Sequence, residues 1–215
     1  MKKITAKDIK FGMIVFIDSR SKFSIMSRAV RMLQNNGIHP DSFFIPNHCG
    51  IIVEENEDIN KIKMAHASLR GLVIEPIKPW IISKTTNILV KKYKKRFTPT
   101  KKRHMIVWVE KRLGMDYDYL SFLPMIGLYF VAKAIKNPIL RRILRKLPNP
   151  LDSEKRLICS ELIWRVWMSI WRVLVWTGIN TGYISPRDIM KSKYFKVVGR
   201  YFNYTYPKKR KNGGK

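Results

Sequence analysis

The stretch HCGIIVEE, residues 48–55, places a histidine and a cysteine side by side at the start of an otherwise apolar run. Its β-branched residues predict a strand with one face in the core. The second cysteine, Cys159, lies in LICSELIW, residues 157–164, where a charged loop leads into a long apolar run that predicts a buried helix. Together the strand and the helix indicate an α+β fold, and they raise the question of which cysteine is reactive.

In a strand, His48 and Cys49 lie on opposite faces. Successive side chains of a strand point to opposite faces, so His48, Gly50 and Ile52 are predicted to face one side and Cys49, Ile51 and Val53 the other. The neighbouring histidine and cysteine are therefore not expected to serve one site. Cys49 is expected to be a core residue, and its replacement by alanine to leave thiol-dependent activity largely intact.

The composition describes one globular domain with a strong positive charge. The chain has 215 residues, of which 46% are hydrophobic, enough to bury a core without disulfides. We expect a single domain over residues 1–205, with a basic, amphipathic helical elaboration at about 119–150 and a disordered basic tail at 206–215. With 43 Lys and Arg against 15 Asp and Glu, the net charge is +28, which attracts anionic partners.

Several classes of protein do not fit this sequence. Two cysteines cannot form a disulfide framework, and neither lies in a Cys-x-x-Cys spacing, so no zinc site, other metal site or cofactor is predicted. The basic N-terminus lacks the apolar run of a signal peptide. Residues 119–135 contain proline and glycine and residues 162–176 contain two arginines, so neither is predicted to span a membrane. We expect a cytoplasmic protein, peripheral at a membrane at most.

The hydrophobic periodicity divides the chain into elements. Strands are predicted at 13–17, at 48–55, 61–68, 71–77 and 87–94 as an antiparallel meander, and within 193–206; helices are predicted around 25–33 and at 98–114, 137–147 and 157–178. In the last helix, Glu161 is predicted to pair with Arg165 one turn later. The helix is otherwise so apolar that we expect it to be central, with its tryptophans in the core.

The position of Cys159 favours catalysis. At a helix N-terminus, exposed backbone N–H groups and the helix dipole stabilise a thiolate and lower the thiol pKa. The thiol also needs a base, and the sequence offers four histidines: His39, His48, His66 and His104. His48 and His66 lie on predicted strands, which hold side chains rigidly, so His48 is the predicted base and His66 the residue that orients it.

The ordered motifs FGMIVFI, HCGIIVEE, MAHASLRGLVIEPIKPW, RLGMDYDY, ICSELIW and ISPRDI extend over roughly residues 8–190. In this order they resemble the circularly permuted branch of the NlpC-type, papain-like amidases, the YiiX-like group with poxviral and phage relatives. The resemblance implies a papain-like core in which a helix presents the cysteine to a small antiparallel sheet. It also implies that the histidine strand precedes the cysteine helix.

Carried over to this sequence, the resemblance implies Cys159 as nucleophile and His48 as base. The third polar residue is His66, with Glu75 as the alternative. Tyr117, in DYDY, matches a tyrosine that the family commonly keeps near the site. Ile158 stands where an aromatic residue is common in the family.

Three functions are compatible with these residues. The first is a cysteine amidase or peptidase that forms a thioester with a peptide or a peptidoglycan stem peptide. The second is a lipid-directed acyltransferase or phospholipase of the lecithin:retinol acyltransferase-like type, with an anionic membrane bound through residues 119–147. The third is a non-catalytic basic binding protein. Because the charge is dispersed along the sequence and no nucleic-acid motif occurs, nucleic-acid binding is expected to be non-specific at best.

Overall fold

An antiparallel sheet forms the centre of the structure, a computed structural model that describes residues 3–19, 44–120, 155–171 and 184–202. Within these residues the sheet has six strands: β1 (Ile14–Ser19), β2 (His48–Glu54), β3 (Lys63–Ser68), β4 (Gly71–Pro76), β5 (Thr86–Tyr93) and β6 (Phe195–Phe202). The helices are α1 (Lys78–Ile82), α2 (Pro99–Glu110), α3 (Cys159–Trp171) and α4 (Pro186–Lys191), and a short 3-10 turn spans Ala6–Asp8. The fold is therefore a mixed α and β structure.

Most predicted elements that fall in the described residues are confirmed. The predicted strands at 13–17, 48–55, 61–68, 71–77 and 87–94 each overlap an observed strand, and so does the closing segment 193–206. The predicted helix at 98–114 is α2, which begins after Thr98, where the threonine side chain accepts a hydrogen bond from the Lys101 N–H. The predicted helices at 25–33 and 137–147, most of the proposed elaboration at 119–150, and the tail lie outside the described residues.

The prediction of a four-stranded meander is wrong in one place. The strand order is β4-β3-β2-β1-β5-β6, so β5 pairs with β1 on the far side of the sheet and not with β4. The segment expected to be a bend with proline contains helix α1, and Ile77, Trp80 and Ile81 pack against one face of the sheet. Burying these side chains carries the chain across that face, which explains why β5 joins the opposite side.

Each face of the sheet has its own apolar layer. On one face, helices α2 and α3 pack against side chains that include Phe16, Cys49 and Ile51. On the other face, the N-terminal segment and α1 cover Val15, Ile52 and their neighbours. Burial on both faces explains why the central strands are apolar at successive positions.

Helix α3 is the central helix that the sequence predicted. Eight of its side chains are buried: Cys159, Ser160, Glu161, Leu162, Ile163, Val166, Trp167 and Ile170. Glu161 accepts a hydrogen bond of 2.9 Å from Nε of Arg165, which confirms the predicted pair within the helix. Trp167 is fully buried, and Trp164 and Trp171 pack against the same core. None of the helices in the described part of the chain is long and apolar enough to cross a membrane.

Gly71, the first residue of β4, allows a close approach between the start of β4 and the segment that follows α2. Gly71 has φ of +88°, and a Cβ there would lie 2.6 Å from the carbonyl oxygen of Met115. The close approach lets Leu72 exchange backbone hydrogen bonds with this segment: its N–H donates to Met115 O and its carbonyl accepts from Gly114 N, both at 2.9 Å. These bonds fix the chain that leads to Tyr117.

We expect Gly71→Ala to lower the free energy of unfolding by about 3 kcal/mol, because it combines left-handed backbone strain with a clash against backbone. Gly114→Ala is the matched control, since Gly114 has φ of +78° but no atom within 4 Å of an added Cβ. Its cost should be the strain alone, about 1–2 kcal/mol. Urea denaturation measures both, and equal losses would contradict the close approach at Gly71.

Candidate active site

The start of helix α3 is held against the segment that follows α2. The N–H of Leu157 donates to Asp116 O at 3.0 Å, and the N–H of Asp118 donates to Leu157 O at 3.1 Å. Helix α3 begins two residues later at Cys159, which is 4% exposed. Its thiol therefore lies at the helix N-terminus, as the sequence predicted, and the backbone that leads into the helix is fixed by hydrogen bonds.

His48 is the first residue of β2, and its ring is held on two sides. It stacks on Trp80 of α1, with ring centroids 5.5 Å apart and planes inclined by 25°. Its Nε2 atom lies 3.0 Å from Nδ1 of His66 on the neighbouring strand β3. Because the antiparallel pairing of β2 and β3 is continuous with the core, the imidazole has a fixed position and orientation.

The hydrogen bonds beyond His48 determine which ring nitrogens carry protons. Nε2 of His66 lies 3.2 Å from Oε2 of Glu75, and the other carboxylate oxygen of Glu75 accepts from Arg70. An ionised carboxylate only accepts hydrogen bonds, so His66 carries its proton on Nε2 and accepts at Nδ1. His48 must then donate from Nε2 to His66, which leaves Nδ1 as the nitrogen of His48 that can accept a proton.

His66 is a neutral member of this chain of hydrogen bonds. Burial lowers its pKa to about 3, and the nearby charges of His48 and Arg70 act in the same direction. With 1% of its surface exposed, the ring has little water to stabilise an imidazolium. His66 is therefore suited to orienting His48 and not to carrying charge itself.

Cys159 has the electrostatic surroundings of a thiolate. A hydrogen bond from the Cys49 side chain lowers the pKa of Cys159 well below its usual value, while burial opposes this effect. The charge of His48 and hydrogen bonds from His48 and from the Cys49 backbone lower it further. The thiol of Cys159 thus interacts with His48, which in turn contacts His66.

Cys49 also interacts with the sulfur of Cys159, a contact that strand alternation did not predict. It lies in the core, on the face that α3 covers, as expected from strand alternation. Burial raises the pKa of Cys49 well above its usual value, and its contact with Cys159 adds to this. Since Cys159 sits over the beginning of β2, it interacts with both neighbours of the strand, and Cys49 remains a protonated donor to the sulfur of Cys159.

Tyr117 lies near the two sulfurs, as the resemblance implied. Burial raises the pKa of its phenol well above the usual value, and Cys159 and Cys49 contribute in that order. The phenol therefore stays protonated and can donate a hydrogen bond to an oxygen bound near the thiol. Glu75, the alternative third residue, lies behind His66 instead of replacing it.

Of the other two histidines in the sequence, the structure describes His104 alone. His104 is exposed on helix α2, and His39 lies outside the described residues. Conversely, no pattern in the sequence selected Cys49, Trp80 or Arg70. Strand alternation placed Cys49 on the face opposite His48, so the sequence did not indicate its contact with Cys159. The proline next to Trp80 predicted a bend, whereas the structure has a helix there whose Trp80 ring stacks on His48.

The comparisons with known proteins agree with this architecture. The fold is similar to that of metalloprotein yiiX from Escherichia coli O157:H7. The solved structure of that protein, also described as DUF1105, superposes with a TM-score of 0.57 at 17% identity, covering 91% of this chain and 99% of yiiX. No protein-family model and no curated protein sequence matches the chain. At this identity the likeness to yiiX concerns the fold alone.

A metal site is not evident in the part of the chain that the structure describes. Although yiiX is termed a metalloprotein, no group of three or more His, Cys, Asp and Glu side chains here is arranged to hold a metal ion. His48 and His66 direct nitrogens at each other and His66 uses its second nitrogen on Glu75, so these rings are engaged in hydrogen bonds. The described residues therefore do not fit a metal centre.

We expect Cys49→Ala to raise the pKa of Cys159, because it removes the donor that contributes most to the low value. The rate of alkylation of Cys159 by iodoacetamide, followed by peptide mass spectrometry as a function of pH, should shift to higher pH. Cys49→Ser is the matched control, since a hydroxyl still donates a hydrogen bond, and its shift should be smaller. An unchanged profile in Cys49→Ala would contradict the role of the Cys49 side chain.

His66 should make stability depend on pH. Its pKa of about 3 in the folded protein lies below the ordinary value of 6.5, so the unfolded chain binds a proton that the folded protein does not. The contribution is complete above pH 6.5 and is lost as the pH falls toward 3. Between pH 7.5 and 4.5 we expect His66 to account for a loss of about 2–3 kcal/mol in the free energy of unfolding.

The matched variant for this effect is His66→Gln, which keeps hydrogen-bonding groups but does not titrate. Urea denaturation at the two pH values measures both proteins. The wild type should lose more stability than the variant, by about 2–3 kcal/mol. If both lose the same amount, the ring of His66 is not held neutral by its surroundings.

Proposed function

We propose that the chain is a cysteine-dependent hydrolase that cleaves amide or peptide bonds through a thioester, on a circularly permuted papain-like core. One observation carries this proposal: a thiol of lowered pKa at the N-terminus of α3 interacts with His48, which is in turn hydrogen-bonded to His66. This is the order of nucleophile, base and orienting residue in a catalytic triad. The similarity in fold to yiiX supports the core architecture and not the reaction.

In the first half of the proposed reaction, the proton of Cys159 passes to Nδ1 of His48. The thiolate attacks the carbonyl carbon of the amide, and the carbonyl oxygen gains negative charge. Backbone N–H groups in the first turn of α3 have no acceptor within the helix and can donate to this oxygen. The imidazolium of His48 then gives its proton to the leaving nitrogen, so that an amine departs and a thioester remains on Cys159.

In the second half, His48 accepts a proton from water, and the resulting hydroxide attacks the thioester carbon. The C–S bond breaks, the carboxylic acid leaves, and His48 returns its proton to the thiolate of Cys159. His66 stays neutral throughout, because its pKa of about 3 excludes a proton at neutral pH. Its acceptor nitrogen stabilises the Nε2 proton of His48, which leaves Nδ1 of His48 as the nitrogen that can accept the thiol proton.

The proposed substrates bear an amide in a peptide, and a peptidoglycan stem peptide is one such compound. The test uses a pool of N-acetylated peptides, with new amino groups quantified by a fluorescent amine reagent and the acyl adduct located by mass spectrometry. Cys159→Ala should abolish both signals. His48→Ala should lower the rate of amine release by about 10²- to 10⁴-fold, the usual contribution of general acid–base catalysis.

The matched control for His48→Ala is His104→Ala, which removes an exposed histidine of helix α2 away from the thiol. Its rate should equal that of the wild type, and circular dichroism should be the same for all variants. Amine release that survives Cys159→Ala would overturn the proposal. An acyl adduct that forms on Cys159 from phosphatidylcholine vesicles and not from peptides would favour the lipid-directed reaction instead.

A further inference from the structure

A second feature that ligands could use is a basic cleft at the other end of the central strands. The cleft has a volume of about 810 Å³ and is lined by side chains from four parts of the chain: the start of β1, the end of β2, the segment from β5 to α2, and β6. Seven of its lining side chains are Lys or Arg, and one, Glu55, is acidic. The fold thus brings Lys10 and Lys196 beside five cations that lie between positions 92 and 102.

The cleft is separate from the thiol site. The N–H of Gly12, in its lining, donates to Ile52 O near the end of β2, whereas His48 at the start of β2 pairs with Ile17. The extended part of β1 from Ile14 to Ile17 alone spans about 10 Å. A ligand in the cleft therefore binds away from Cys159, and its binding does not depend on the proposed hydrolase activity.

Glu55 already occupies part of the cleft as an anion. Its carboxylate lies 3.3 Å from Nζ of Lys102 and 3.9 Å from Nζ of Lys10, and it accepts a hydrogen bond of 3.4 Å from the N–H of Phe11. Two lysines and a backbone N–H group thus bind one negative group here. The cleft thus already holds one anionic group.

The remaining five cations have no acidic side chain within ion-pair distance among the described residues. They are Lys92, Lys94, Lys95, Arg96 and Lys196, and all five are exposed at the cleft. Their mutual repulsion destabilises the folded protein unless anions bind between them. Four of the five are lysines, which bind phosphate groups as point charges without fixing a bidentate geometry.

Aromatic rings lie beside these charges. Phe11 and Phe97 meet edge to face with centroids 5.8 Å apart, and Nζ of Lys102 lies 5.2 Å from the centre of the Phe11 ring. Phe11 is half-buried, so part of its surface reaches the cleft. A groove of positive charge with aromatic rings is the arrangement by which proteins bind single-stranded nucleic acid, through phosphate contacts and base stacking.

We propose that this cleft binds single-stranded nucleic acid without sequence preference, its phosphates contacting the five exposed cations and a base contacting Phe11. The half-buried ring of Phe11 in the cleft favours a strand over a bilayer, because a single strand offers a base that can stack beside its phosphates. Arg96 is the single arginine among the cleft cations, so the bidentate contacts that read base edges are few.

The test measures the binding of a fluorescein-labelled oligothymidylate to the full-length chain by fluorescence anisotropy, at salt concentrations from about 50 to about 200 mM. The cleft variant is Lys94→Gln/Lys95→Gln/Arg96→Gln, and the matched control is Lys7→Gln/Lys61→Gln/Lys84→Gln, three exposed lysines that do not line the cleft. Both lose three charges. In the cleft variant we expect binding at least about tenfold weaker, with a salt slope smaller by about 2, since each single-strand phosphate contact contributes about 0.7.

The control should bind nearly as tightly as the wild type, and equal losses in both variants would overturn the cleft as the site.

An abasic strand of the same length carries the same charges, and we expect it to bind the wild type about tenfold more weakly because one stacked base is missing. Equal affinity for the two strands would overturn the assignment to nucleic acid. Vesicles with phosphatidylserine form the last arm: a cleft-dependent loss there, without one for the oligonucleotide, would identify a membrane as the partner and overturn the proposal.

Discussion

The packing of the first turn of α3 against the beginning of β2 is the constraint on which the candidate active site depends. Helix α3 buries an almost continuous apolar surface against β2, β3 and α2. Each fully buried Leu, Ile or Val side chain contributes about 1.5–3 kcal/mol, so the helix cannot slide along the sheet without a large loss. Because Cys159 is the first residue of that helix, its sulfur is held where His48 and Cys49 begin the strand.

The same sheet also orders the polar side chains behind the thiol. β2, β3 and β4 are antiparallel neighbours, and they supply His48, His66 and Glu75 in that sequence across the sheet. Each hydrogen bond determines the next, because a carboxylate at one end can only accept and the thiol at the other end must donate. Because His66 is neutral, it accepts from His48 and donates to Glu75 without carrying a positive charge. A positive charge on His66 would oppose the protonation of His48.

The two sites use the two ends of β1 and β2. At the end near His48, apolar packing and a stacked tryptophan surround a few titratable groups, so individual charges are strong. At the other end, exposed lysines surround the cleft. Solvent weakens each single charge there, so an anion is attracted by the combined charge of the group. With a net charge of +28, the whole chain attracts anions, and the cleft concentrates that attraction in one place.

By itself, the sequence determined the local elements and the reactive residue types. The apolar residues within 157–178 predicted the buried helix with Cys159 at its start, and short apolar runs bounded by turn residues predicted the strands that carry His48 and His66, because both depend on neighbours in the chain. Only the tertiary structure decided what depends on distant contacts: the place of β5 beside β1, the contact of Cys49 with Cys159, and the assembly of the basic cleft. Alternation gives the face of a strand on which a side chain lies, but it does not say which helix end covers that face.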